Sequence, residues 1–124
     1  MTDRQRIPNR SHKWWGYCKL MIRAYGVLTV EEARDETERQ ELLAVKRAID
    51  KTLTRRDGTD RLWLVNLVFW QRSCNLVGAA RRLHISEVTA QRWHGAFIRA
   101  VAEEYGLIRQ DGDSAFRDGD EVES

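Results

Sequence analysis

The sequence predicts an all-α protein: an N-terminal helical pair packed on a central helix that leads into two further helices joined by a tight turn. Three observations carry this. Proline is all but absent, and the single one, Pro8, lies so near the N-terminus that everything from Ser11 onward is free to be helical. Glycine plus proline are too few for a chain of many short strands and turns or for a disordered one. Apolar residues recur at spacings of three and four along most of the chain, the period of a helix with one covered face. At 124 residues the chain suffices for one domain with a modest core, or one domain with appendages.

Residues 1–11 read as a flexible basic arm carrying Arg4, Arg6 and Arg10. The N-terminal helical region, 12–56, opens with an amphipathic helix over about 12–25. Its stripe is Trp14, Cys18, Met21 and Tyr25, broadened by Trp15 and Ile22, and Gly26 is its stop signal. Thr29-x-x-Glu32 has the form of a capping box opening a second helix. That helix is polar over 31–40 and then carries Leu42, Val45, Ile49 and Leu53, with Ala48 alongside.

Asp57-Gly58-Thr59-Asp60 reads as a loop with a new N-cap at Thr59 or Asp60. The helix after it, about 61–72, has two apolar faces, Leu62/Val65/Phe69 and Trp63/Leu67/Trp70. A helix apolar on both sides has to be covered on both sides, so this is the expected central helix, with Asn66 needing a hydrogen-bond partner or a path to solvent. Asn75 caps a short helix running to about Leu83, and Ser86 caps a long last one. The inner stripe of that last helix is Ala90, Trp93, Phe97, Ala100 and Val101, and Gly106-Leu107 fits a left-handed cap with its apolar follower. From Gln110 the chain is polar and rich in Gly and Asp, and is expected to be a disordered acidic tail, 110–124.

The most informative stretch is Ala80 to Trp93. A small residue, Ala80, lets two helices approach; Leu83 and Ile85 are apolar on either side of a turn; Ser86 is a cap; Ala90 and Trp93 continue the covered face. His84 stands where glycine is common because the turn needs positive φ, and histidine is among the residues that tolerate it. This is the pattern of a helix-turn-helix, which assigns 60–109 to a DNA-binding domain. With Ala90, Trp93 and Phe97 turned inward, Glu87, Val88, Gln91 and Arg92 are left outward at the start of the second helix, with Gly95 one turn further on. Their chemistry suits base edges: Arg to guanine, Gln to adenine, Glu accepting from cytosine, Val against a thymine methyl. Arg81, Arg82, Ser86, Thr89 and Arg99 are candidate phosphate contacts, which position without specifying. Each of these residues has a bland alternative as part of a solvated helix face; Trp93 is read as a core residue rather than a DNA wedge, and Trp14 and Trp15 as packing residues or part of a subunit interface rather than base-stacking platforms.

Charge agrees with an anionic partner. Residues 110–124 hold six acids against Arg117; removing them from 21 basic and 19 acidic residues leaves 20 and 13, a net of +7 for the body. Other classes have little support. Cys18 and Cys74 lack paired spacing and read as reduced thiols, and Cys74, His84 and His94 lack the spacing of metal ligands, so neither a cofactor nor a metal is expected. There is no Gly-rich phosphate loop or nucleophile elbow, so the chain is read as no enzyme. The longest apolar run, Leu62 to Trp70, is broken by Asn66 and too short to span a bilayer, and Thr2 to Arg10 lacks a signal-peptide core, which points to a soluble cytoplasmic protein.

The stretch from Arg61 to Leu107 resembles the sigma-factor region-4 class of helix-turn-helix. Over most of 12–108 the chain resembles small phage late-gene transcriptional regulators of the RinA/ArpU type. The residues concerned are Trp14-Trp15-Gly16-Tyr17 with Ile22-Arg23-Ala24-Tyr25, Ala44-Val45 with Ala48-Ile49, Asp57-Gly58, Leu64-Val65 to Trp70, and Gly78-Ala79-Ala80 to Phe97-Ile98-Arg99. The resemblance implies binding of double-stranded DNA near a late promoter in a bacterial host cell, with RNA polymerase as a candidate partner, and carries Glu87, Val88, Gln91 and Arg92 over as reading positions. A homodimer is the arrangement expected, because one such motif reads few bases. Two alternatives share the sequence features: a small-terminase-like DNA-packaging protein, and a helical adaptor that docks through its Trp-rich first helix.

Overall fold

A computed structural model describes residues 13–108. The chain is all-α, with no strand among the described residues. The predicted arm, 1–11, the first residue predicted for the first helix, His12, and the predicted tail, 110–124, lie outside them.

Helix α1, Lys13–Tyr25, buries Cys18, Met21 and Ile22. It stops at Gly26, as predicted, but for a different physical reason. Gly26 has no positive φ; it is small because a Cβ there would lie 2.5 Å from Cδ1 of Trp70. The close approach lets the Trp70 indole N–H donate to the Ile22 carbonyl at 2.7 Å.

The Thr29–Glu32 capping box forms, with the Thr29 N–H donating to Glu32 Oε1 at 2.9 Å, but it opens only a 3₁₀ turn, Val30–Glu32. The predicted helix over 31–40 therefore begins later. Asp35 is its N-cap, accepting the Glu38 N–H at 2.8 Å, while Glu38 takes the Arg34 N–H at 2.8 Å and its guanidinium. Those bonds hold the Glu38 carboxyl below its ordinary value. Helix α2, Glu36–Leu53, buries Leu42, Val45 and Ala48 as expected, together with Ala44 and Thr52. Leu53, predicted to be covered, is exposed. The chain turns back at this point so tightly that Gly58 lies against the Thr52 carbonyl, and the covered side of α2 is the one bearing Thr52.

Helix α3, Gly58–Val65, starts a turn's fraction before the predicted Thr59 or Asp60, with Asp57 at the cap position. It continues as a π-helical segment, Asn66–Trp70, in which the Gln71 N–H reaches back five residues to the Asn66 carbonyl at 2.7 Å. A π turn holds one extra residue and so rotates the residues beyond it by roughly 100° relative to a straight α-helix. The predicted second face, Trp63/Leu67/Trp70, is broken up, and the π turn accounts for the shift of Trp70. Trp63 is 50% exposed, Leu64 is fully buried beside Leu67, and Trp70 swings to the α1 side. Asn66 is half-buried, which leaves its amide a route to water.

Helix α4, Leu76–Leu83, is capped by Asn75, which accepts the Gly78 N–H at 2.9 Å. After His84-Ile85-Ser86 comes α5, Glu87–Tyr105, closed by Gly106 at φ 89° with the Leu107 N–H on the Ala102 carbonyl at 2.8 Å.

Two cores result. The larger takes Cys18, Met21 and Ile22 from α1, Ala44, Val45 and Ala48 from α2, Val65 and Phe69 from α3 and its π segment, and Phe97, Ile98, Val101 and Ala102 from α5. The smaller joins Leu64 and Leu67 to Ala79 and Ala80 of α4 and Ala90 of α5. Thus α3 with its π segment faces both cores, and α5 threads through both. Ile98 and Ala102, outside the predicted stripe, are fully buried because α1 and α2 cover further sides of α5. At the far end of α5 the Tyr17 hydroxyl donates to the Glu41 carboxylate and lies 3.4 Å from the Tyr105 hydroxyl, tying α1 to α2 and α5. Burial, then the bond to Glu41, pushes the Tyr17 phenol above its ordinary value, and burial alone pushes the Cys18 thiol up to about 12.

Candidate nucleic-acid interface

The interface candidate is built from the α4–α5 turn upward. Ala80 and Ala90 are fully or almost fully buried against one another's helices, and their small size sets the close approach of α4 and α5. His84 ends α4 in the left-handed region, φ 59° and ψ 44°, the conformation that the sequence pattern requires there. Its N–H bonds the Arg81 carbonyl at 3.2 Å and the Ile85 N–H bonds that of Ala80 at 3.0 Å, so the turn satisfies the last carbonyls of α4. Ser86 then accepts the Thr89 N–H at 3.0 Å, and its own hydroxyl donates to Thr89 Oγ1 at 3.0 Å. The Thr89 hydroxyl hydrogen is left over for an outside acceptor.

Past this turn, the first two turns of α5 pack on the body through Ala90 and Trp93 and leave one face open. Glu87, Val88, Gln91 and Arg92 are all exposed, and Val88 at 56% is an apolar side chain held in water at the centre of a charged and polar face. Six residues from Glu87 to Arg92 span about 8 Å of helix. Arg81 and Arg82 are exposed on the last turn of α4, beside the same turn. Ser86 is exposed and Thr89 half-buried. The base-reading and phosphate candidates from 81 to 92 are thus on adjacent turns of one small region. Arg99 is set apart: it is half-buried and seven residues, about 10 Å, further along α5 than Arg92. The unsatisfied N–H groups of α5's first turn and the positive end of its dipole favour an anion at the same place.

Gly95 does not belong to the outward face. It is half-buried, and a Cβ there would lie 3.6 Å from Cη2 of Trp15. The covering is by α1, whose Trp14 and Trp15 pack against the larger core, as predicted. Trp93 is likewise a packing residue, half-buried in the smaller core. One face of its indole is covered by the Arg61 guanidinium, 5.3 Å from the ring centroid, and Arg61 Nε is held by Asp57 Oδ1 at 2.9 Å. His84 sits in the exposed turn, while His94 stacks on Phe69 with 5.4 Å between centroids and meets Trp15 edge-on at 6.3 Å.

Sequence periodicity did not reveal the Asp57–Arg61–Trp93 clamp. The only local signal was the i,i+4 spacing of Asp57 and Arg61, which fits an intrahelical ion pair. Nothing local placed Arg61 on Trp93.

Comparison of the chain with protein families, with curated proteins and with solved structures returns no match in any of the three.

Proposed function

We propose that this chain is a sequence-specific, double-stranded DNA-binding transcriptional regulator that inserts the N-terminal half of α5 into the major groove. The observation that carries the reading is the capped α4–α5 turn with Glu87, Val88, Gln91 and Arg92 exposed together just beyond it, flanked by Arg81 and Arg82. A helix of about 10–12 Å diameter fits a groove about 12 Å wide, and these side chains offer donors, an acceptor and an apolar surface to base edges. Arg81, Arg82 and the Thr89 hydroxyl would hold phosphates on the groove's border. Trp93, pinned by Arg61, fixes the orientation of the turn that carries Gln91 and Arg92. The basic excess of the body, +7 outside 110–124, supports the same partner. A role at a phage late promoter, with RNA polymerase as partner and a homodimer as the binding form, follows from the resemblance to RinA/ArpU-type regulators.

The test is selection of bound sequences from a random duplex pool, followed by the double variant Gln91→Ala/Arg92→Ala. Removing a bidentate pairing with a base costs about 1–3 kcal/mol of discrimination. The variant is therefore expected to remain folded and to lose its preference for the selected sequence. Unchanged affinity and preference would remove these residues from the reading face.

A further inference from the structure

The corner between α2 and α3, residues 54–57, packs on the side of α5 away from the proposed reading face. Just before it, Lys51 Nζ reaches Glu103 Oε1 at 3.6 Å and Glu104 Oε2 at 3.3 Å. Just past it, Arg61 lies over Trp93. At about 100° per residue, Trp93 and Glu104 are roughly 180° around α5 from the middle of the arc bearing Glu87, Val88, Gln91 and Arg92.

The corner is held by its own bonds. The Arg55 N–H donates to the Thr52 carbonyl at 3.0 Å, the Gly58 N–H to the Arg55 carbonyl at 3.0 Å, and the Thr54 hydroxyl to the Lys51 carbonyl at 2.7 Å. Leu53, 51% exposed, leads into it, and Arg55 and Arg56 are exposed on it. Among the described residues neither arginine has an ion pair. The acids nearby are engaged elsewhere: Asp57 by Arg61, Asp50 by Lys46, and Glu103 and Glu104 by Lys51. Asp60, in the first turn of α3, is the remaining one. A fixed turn thus sets one apolar side chain and two cations in water, outside both cores.

The described residues end beside this surface. Ile108 is four residues past Glu104 and Arg55 four past Lys51, so helix rise and the spacing of packed helices put the two about 20 Å apart. Residues 110–124 carry Asp111, Asp113, Asp118, Asp120, Glu121 and Glu123 against Arg117, with Phe116 between the two acidic groups. An extended chain covers about 3.3 Å per residue, so Asp118 reaches about 33 Å from Ile108. Other cations are less suited. Arg34, Arg39 and Lys46 on and before α2 already have carboxylate partners, and Arg81 and Arg82 lie at the opposite end of α5, about 30 Å from Ile108.

We propose that the α2–α3 corner is the docking surface of the chain's own segment 110–124, with Arg55 and Arg56 taking its carboxylates and Leu53 taking Phe116. Guanidinium–carboxylate bonds are charge-assisted and suit a bidentate geometry. A tether this short keeps the segment at a local concentration of roughly millimolar, so contacts too weak to hold a separate peptide suffice. Docking here leaves Glu87, Val88, Gln91 and Arg92 open, and the inference does not depend on what α5 binds.

The experiment compares the amide shifts of the isotope-labelled full chain with those of Asp118→Asn/Asp120→Asn/Glu121→Gln/Glu123→Gln. At about 50 mM salt the neutralised chain should differ at 53–57; at about 1 M, where the screening length falls to about 3 Å, the two should coincide there. Arg55→Gln/Arg56→Gln should in turn move the amides of 110–124, and Arg55→Lys/Arg56→Lys should leave them near native. Chymotrypsin cleavage after Phe116 reads the occupancy. A segment docked about half the time is cut half as fast, so the Gln variant should be cut about twofold faster or more at low salt. Shifts confined to the neighbours of each substitution, or an unchanged cleavage rate, overturn the proposal. Shifts at 81–92 overturn it too, since they set the segment on the start of α5. So do shifts at 53–57 that grow with protein concentration, which assign the surface to a second copy's segment.

Discussion

Ser86 separates the stability of the α4–α5 turn from its proposed use. Its hydroxyl accepts the Thr89 N–H and donates to Thr89 Oγ1, both at 3.0 Å, and the group is exposed. In Ser86→Ala both bonds are absent, but water reaches the freed N–H, so the cost is that of a surface cap, about 1 kcal/mol, rather than that of a buried orphan donor. For a domain of this size that is a fall of about 4–8 °C in Tm. Ser86→Asp keeps an acceptor for the Thr89 N–H and places a negative charge at the positive end of α5, so its Tm should stay near native. The same carboxylate would face DNA phosphates if α5 enters the groove, and duplex binding should weaken severalfold more than in Ser86→Ala. Thermal melts by circular dichroism and duplex titration at fixed salt read the two effects. A Tm for Ser86→Ala within about 1 °C of native would refute the energetic role of the cap. Undiminished binding by a folded Ser86→Asp would place the start of α5 away from the DNA backbone.

Three further outcomes test the packing. Gly26→Ala puts a methyl 2.5 Å from Trp70 Cδ1 and should destabilise the chain by about 1–3 kcal/mol in denaturant titration; an unchanged midpoint would show that the α1 terminus is not pressed on that ring. Folded Tyr17 keeps its proton above the ordinary value of 10 while the unfolded chain releases it there, so the unfolded state binds fewer protons and stability falls as pH rises above about 10. Tyr17→Phe should remove that part of the alkaline fall and cost about 1 kcal/mol at neutral pH; an identical pH profile would refute the assignment. A thiol reagent at neutral pH should label Cys74, which is half-buried, and spare Cys18, which has no exposed surface and a thiol pushed up to about 12. Rapid loss of both thiols in the native protein would contradict the burial of Cys18.

Local chemistry was legible in the sequence wherever one residue's own preference settles the geometry. Ser86 and Asn75 cap because their short side chains reach a backbone N–H three residues on, and His84 and Gly106 take left-handed turns at helix ends. The register of helix faces was less legible. Counting at a fixed period put Trp70 on the face of Trp63, because it did not anticipate the π turn at Asn66–Trp70, and it put Trp63 inside and left Leu64 out although the neighbouring helices cover the Leu64 side. It covered Leu53 instead of Thr52, because the return of the chain at Gly58 chooses the side of α2. The capping box at Thr29 was read correctly as a motif, yet a competing cap at Asp35 starts the helix.

The candidate interface divides in the same way. That Glu87, Val88, Gln91 and Arg92 escape the covered stripe follows from helical spacing alone. That Gly95 does not escape it depends on α1 packing on α5. The sequence by itself thus determined the all-α class, the caps at Asn75, Ser86 and Gly106, the α4–α5 turn and the exposed start of α5, since each depends on bonds or periodicities spanning only a few residues. Only the tertiary structure decided which faces are covered and what stands beside α5, because burial is settled by contacts between segments far apart in the chain.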